Sequence, residues 1–308
     1  MSKDIFKFFL YRLNKEYRQD LFSNQEVLSQ KSDDEWLKEF LISICNKDFD
    51  FRRETRKAVY VWSLRNFRDI DFGLSSIVLA RSQVLKTGTI VTENSLIHGQ
   101  SVANPPTADT IVLLIIWDRH IVVVENRAGM TTAETWLRNF HAIVENAKIH
   151  LSIPVAPKLE PIPKKGTILE HFRRFDKIFR FRVRLKLPNP ELTHWAKYIY
   201  DEMVEQQLTE YLQEFISPTG IRSDENSKAY SSAALAELGY KEGGVQIEGE
   251  IEGNIRQVDE GKKAIRGKIN QIRALIRGLE TNATSKQLQR ALLLIKDEVN
   301  RLFPPEEI

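Results

Sequence analysis

Two groups of residues in this 308-residue chain could do chemistry. Asp109 opens one β-rich run, and Glu125-Asn126-Arg127 closes the next. A carboxylate on each strand of such a hairpin could hold Mg²⁺, and the cation two residues beyond the second acid could position or activate water for phosphodiester cleavage. The usual cation is lysine, because a guanidinium does not give up its proton. Asp109, Glu125 and Arg127 are therefore a degenerate form of a metal-dependent nuclease site. Alternatively, they are the ends of an ordinary hairpin.

The second group is a strand with two unlike faces. Phe179, Phe181, Val183, Leu185 and Leu187 point one way, and Arg180, Arg182, Arg184 and Lys186 the other. Side chains on one face of a strand recur every ~6.6 Å. That is close to the phosphate repeat of an extended single strand, so the row could track a nucleic-acid backbone. Arg173 and Arg174 lie just before it. Between Lys158 and Lys186 ten lysines and arginines face Glu160, Glu170 and Asp176. A competing reading has Glu248, Glu250 and Glu252, on one face of a later strand, pairing across to these cations at ~0.2–1 kcal/mol each. Three glutamates would not neutralise all ten. Two further basic groups are Arg52, Arg53, Arg56, Lys57, Arg65 and Arg68, and Lys262, Lys263, Arg266, Lys268, Arg273 and Arg277.

Other chemistry is poorly supplied. The six histidines are scattered, with no metal-ligand spacing, and there is no phosphate-binding glycine loop or nucleophile elbow. The lone Cys45 rules out an intramolecular disulfide. No cofactor is expected, except Mg²⁺ in the nuclease reading.

The elements that must position these residues read as α+β: a strand-rich N-terminal half, a second α+β half and a C-terminal antiparallel helical hairpin. Asp4 to Leu13 is a first strand. Ser32 and Glu35 form a capping box for a helix from about Asp33 to Asn46. Val59 to Leu64, Ser76 to Val84 and Ile90 to Leu96 are strands, and Asp109 to Val124 is a hairpin buried on both faces. Thr131 with Glu134 caps a helix burying Trp136, Phe140, Ile143, Val144 and Ala147. Four prolines between Ile153 and Lys165 indicate a linker (153–166) separating a domain over 1–152 from one over 167–257. Asn189-Pro190 starts a long helix through Trp195, Ile199, Met203, Leu208, Leu212 and Phe215. A short helix ends at Gly239, and Val245 to Ile251 is a second two-faced strand. In the tail, Ile265, Ile269, Ile272, Ile276 and Leu279, then Leu288, Leu292, Ile295, Val299 and Leu302, repeat a 4,3,4,3 spacing. This predicts a coiled-coil-like hairpin over 258–303 that joins copies of the chain.

An apolar fraction of 42% and a charged fraction of 28% are those of a globular protein with a sizeable core. Apolar runs such as Ile111 to Trp117 are too short to span a bilayer. The N-terminus lacks a signal-peptide pattern, so a cytoplasmic protein without membrane contact is expected.

The spacing from Asp109 to Glu125-Asn126-Arg127, followed by a helix, resembles the restriction-endonuclease-like superfamily. Val124-Glu125-Asn126-Arg127-Ala128-Gly129-Met130 before a helix is similar to a group of bacterial phage-defence proteins. The order of parts, with a central strand ending in Lys186-Leu187-Pro188, resembles the RexA-like phage-exclusion proteins. That resemblance implies a dimer binding DNA without strong sequence preference and supplies no catalytic residue. The expectation is a non-catalytic DNA- or RNA-binding protein of phage defence or exclusion. Arg173, Arg174, Arg180, Arg182, Arg184 and Lys186 would contact phosphates. The alternatives are a nuclease, or an oligomeric subunit with a protein partner encoded beside it.

Overall fold

The computed structural model describes residues 4–17, 31–70, 73–91, 96–131, 134–186, 199, 201–203, 205, 206, 208, 210–281 and 286–305. The aromatic N-terminus forms β1 (Ile5–Tyr17), whose Phe6, Phe8 and Leu10 are fully buried. Behind the capping box of Ser32 and Glu35 comes α1 (Asp33–Asn46). Then follow β2 (Phe51–Glu54), β3 (Ala58–Ile70), β4 (Leu74–Val91), β5 (Leu96–Val102), β6 (Ala108–Ile116) and β7 (Ile121–Glu125). The β6–β7 turn is a single 3-10 turn, Trp117–Arg119, closed by His120 in the left-handed region. After α2 (Thr135–His150) and β8 (Val155–Pro161), β13 (Arg266–Asn270) completes an antiparallel sheet ordered β13-β1-β7-β6-β4-β3-β2. β8 continues the β13 edge along β1, and β5 adds to β4.

Both faces of this sheet are covered, which is why its central strands lack alternation. Trp36, Phe40, Trp136, Phe140 and Ile143 of α1 and α2 pack on Leu79, Ile111, Leu113, Ile115, Val122 and Val124. Against the other face, α5 (Arg273–Arg277) and α6 (Lys286–Leu302) lay Ile276, Leu288, Leu292, Ile295 and Val299 on Phe6, Phe8, Val112, Leu114 and Val123. Each such side chain contributes ~1.5–3 kcal/mol.

A second antiparallel sheet runs β10-β9-β11-β12, from β9 (Lys177–Lys186), β10 (Glu210–Ile216), β11 (Val245–Ile251) and β12 (Asn254–Glu260). α3 (Thr167–Arg174) and α4 (Lys228–Glu237) cover one face through Ile168, Phe172, Ala229, Ala233 and Leu235. The two helices are tied by Glu237, whose carboxylate accepts from the amides of Gly166, Ile168 and Leu169 at the α3 N-terminus. The sheets meet at Arg12 on β1. It donates to the carbonyls of Leu238 and Arg119 at 2.9 and 2.6 Å, and its guanidinium lies over Tyr240.

The C-terminal helical hairpin does not form as expected. α6 carries the second set of heptad positions, but Arg266–Asn270 is a strand paired with β1. Ile265 and Ile269 are four apart, a spacing that puts them on one face of a strand as well as of a helix. Gly267 settles the choice: a Cβ there would collide with the Phe8 ring, so this glycine lets β13 close onto β1. The Pro-rich stretch read as a linker contains β8, which pairs with β1 alone and buries Val155, Ala156 and Leu159. An outer strand tolerates Pro157 and Pro161.

The long helix expected from Asn189 also changes. Its cap and Trp195 fall outside the described residues, Ile199 and Met203 are buried, and Leu212 and Phe215 lie on β10. Of the predicted strand Ile90 to Leu96, Ile90 and Val91 end β4, Leu96 begins β5, and residues 92–95 fall outside the described residues. Thr131 does not cap α2. It accepts from the Arg127 amide, and the helix starts at Thr135.

Candidate nucleic-acid interface

In the middle of its sheet, β9 buries Ile178, Phe181, Val183 and Leu185. Phe179 does not join that face. The pairing steps from Glu248↔Arg180 to Gly249↔Ile178, so Phe179 is the extra residue of a bulge. A side chain at Gly249 would collide with the Lys177 carbonyl, which fixes the bulge there.

Arg180, Arg182, Arg184 and Lys186 do form one row on the outer face, but carboxylates flank it on both sides. On β10, Glu214 accepts from Arg180 at 2.7 Å, and Glu210 bridges Arg184 at 3.1 Å and Lys186 at 2.7 Å. Glu242 adds a second contact to Lys186 at 2.8 Å. On β11, Glu248 stands opposite Arg180 and Glu250 opposite Lys177. Lys186 is only 5% exposed. Burial disfavours its charge, but the hydrogen bonds it donates to Glu210 and Glu242 outweigh that and raise its pKa. The strands expected as neighbours are neighbours, yet the ion pairs to Arg180, Arg184 and Lys186 come mostly from β10, which the sequence presented as helix. Arg173 and Arg174 are exposed at the end of α3, over the sheet's other face, and Arg173 contacts Glu225 and the Tyr230 hydroxyl.

The carboxylates of the nuclease reading are not brought together. Asp109 shares its side of the sheet with Ile111 and Leu113, facing α1 and α2, while Glu125 shares its side with Val123, facing the tail. Asp109 is half-exposed and bound to Arg81 at 2.6 Å, with Arg127 at 3.8 Å. The Arg81 hydrogen bond lowers its pKa. Glu125 is 1% exposed, accepts from the Val112 amide at 3.3 Å and faces Arg277 at 3.4 Å and Arg273 at 3.8 Å. Burial raises its pKa despite these partners. Arg127 donates to the Thr110 carbonyl at 2.6 Å. The pair cannot chelate one metal, and no group of three metal-binding side chains occurs among the described residues.

A different cluster stands out at the β13–β1 edge. Lys7 on β1 and Lys268 on β13 are directly opposite and both exposed. Like charges in that position are destabilising by ~0.2–1 kcal/mol. Two residues along β13, exposed Arg266 stands opposite Phe9 with its guanidinium 5.4 Å from the ring centre. Lys7, Arg266 and Lys268 have no ion pair among the described residues. Sequence reasoning counted Arg266 and Lys268 as basic but placed them on a helix, so their meeting with Lys7, some 260 residues away, was hidden. The local sign was Lys7 itself, an exposed cation between the buried rings of Phe6 and Phe8.

No helix among the described residues is long and apolar enough to cross a membrane. No protein-family model and no curated protein matches the chain.

Proposed function

We propose that the protein binds nucleic acid through backbone phosphates, without cleaving it, and that the β13–β1 edge is the principal contact. The observation that carries this reading is the exposed trio Lys7, Lys268 and Arg266, which pairs like charges across two strands and has no ion pair among the described residues. A phosphate between the two lysines would remove their repulsion, and Arg266 on Phe9 offers a flat cation beside it. Arg180, Arg182 and Arg184 give a second, weaker surface, because exposed ion pairs worth ~0–1 kcal/mol exchange readily for phosphate. That Asp109 and Glu125 face opposite sides of the sheet supports binding over cleavage by that pair. A role in phage defence or exclusion remains the biological setting for such a contact.

Fluorescence anisotropy with labelled single- and double-stranded oligonucleotides tests it. Binding at low salt should weaken as salt rises, with a log–log slope of about 0.7–0.9 per phosphate contacted, and vary little with sequence. No binding at low salt would refute the reading, and Mg²⁺-dependent loss of the oligonucleotide would refute its non-catalytic part.

A further inference from the structure

β4 is longer than the strands that flank it. β3 pairs with it as far as Lys86, the Thr87 amide donates to the Lys57 carbonyl at 2.8 Å, and β6 reaches only Ser82, so among the described residues Gly88–Val91 pair with β5 alone. Together these residues make a two-stranded ribbon beyond the body of the sheet. Such a ribbon is marginally stable by itself. Free strand edges are normally blunted by lysine, proline or bulges. β5, Leu-Ile-His-Gly-Gln-Ser-Val, has none of these and pairs regularly throughout. It also exposes apolar side chains: Leu96 at 70%, Ile97 at 48% and Val102 at 70%. Among the described residues β5 pairs with β4 only.

Reversed about its middle residue, Gly99, the sequence of β5 sets like against like at its ends and beside the glycine. An antiparallel copy centred there sets Leu96 opposite Val102, Ile97 opposite Ser101 and His98 opposite Gln100. Leu96 meets Val102 at both ends, His98 meets Gln100 beside the axis, Ile97 meets the small Ser101, and no lysine or carboxylate opposes its like. Lys86 is the ribbon's single Lys, Arg, Asp or Glu over 85–91 and 96–102, so a polyanion is not the occupant its chemistry suits. We propose that two copies of the chain associate by pairing β5 with β5 around a two-fold axis at Gly99, forming a continuous β4-β5-β5-β4 ribbon. The contact is isologous, as closed dimers require. It is independent of the nucleic-acid reading and uses none of its residues.

Light scattering of the full chain after size exclusion tests it. The wild-type protein should have twice the mass of one chain. L96K/V102K places lysines opposite each other at both ends of the contact and should halve the mass. L96E/V102K places glutamate opposite lysine at the same positions and should keep the doubled mass. Both positions are exposed in one copy, so circular dichroism should show all three proteins folded alike. As a second measurement, Gly99→Cys should give a disulfide-linked dimer on oxidation with diamide, whereas Ile97→Cys, away from the axis, should not. A single-chain mass for the wild type, or a doubled mass for L96K/V102K, would overturn the proposal. Loss of the doubled mass in L96E/V102K, or equal cross-linking of the two cysteine variants, would overturn the register about Gly99.

Discussion

β9 and the β13–β1 edge are both cationic strand surfaces, and they differ in what lies beside them. β9 sits between two strands that bring Glu210 and Glu214 from one side and Glu248 and Glu250 from the other, so its row of arginines is largely balanced. Among the described residues β13 is an outermost strand whose one neighbour, β1, brings another lysine. A charged face is available to a partner only when the adjoining strands do not answer it. Local charge density, which favours β9, is a poor guide to which surface is free.

This contrast can be broken or sharpened by substitution. The largest effect is expected at the junction that holds the two sheets together. Arg12→Ala strips the Leu238 and Arg119 carbonyls of their donor and empties the space over Tyr240, and should cost about 3 kcal/mol in urea unfolding. Loss of only the second sheet's transition would show instead that the sheets fold separately. Next, replacing Lys7, Arg266 and Lys268 together by glutamine should weaken oligonucleotide binding by about 100-fold at low salt, measured by anisotropy.

Acid stability offers a smaller effect. His141 Nε2 accepts from the Leu159 amide, and burial holds its pKa down to about 4. Between pH 4 and 6.5 the unfolded chain therefore binds more protons, and this residue's share of stability rises with pH. His141→Gln should remove that rise in urea midpoints measured across the range. Glu160 has the opposite sign: burial lifts its pKa to about 7, so the folded chain binds more protons between pH 4.5 and 7 and stability falls as pH rises. The smallest effect is expected from β9, where changing Arg180, Arg182 and Arg184 to glutamine should alter binding by less than about 3-fold, because the flanking glutamates already answer them.

Where local pattern and tertiary role coincide, the fold was legible. The Ser32–Glu35 box, the buried stripe from Trp136 to Ala147, the β6–β7 hairpin and the α4 stop at Gly239 all appear where the residues place them. The failures share a cause. Even spacings of apolar residues suit a strand as well as a helix, and Leu208, Leu212 and Phe215 continued a helical spacing into what is β10. Prolines marked β8 as irregular, although an outer strand can hold them. The candidate interface was half legible: its cations could be counted, but their company is decided by pairings between distant segments. Lys7 with Lys268, and Glu210 with Lys186, meet only through the sheet order.

The most direct measurement is a salt titration of oligonucleotide affinity for the wild-type protein, the edge variant (Lys7, Arg266 and Lys268 to glutamine) and the β9 variant (Arg180, Arg182 and Arg184 to glutamine), run side by side. The edge variant should lose about 2–3 from the log–log slope while the β9 variant keeps nearly all of it. A slope that falls in the β9 variant and survives in the edge variant would contradict the account.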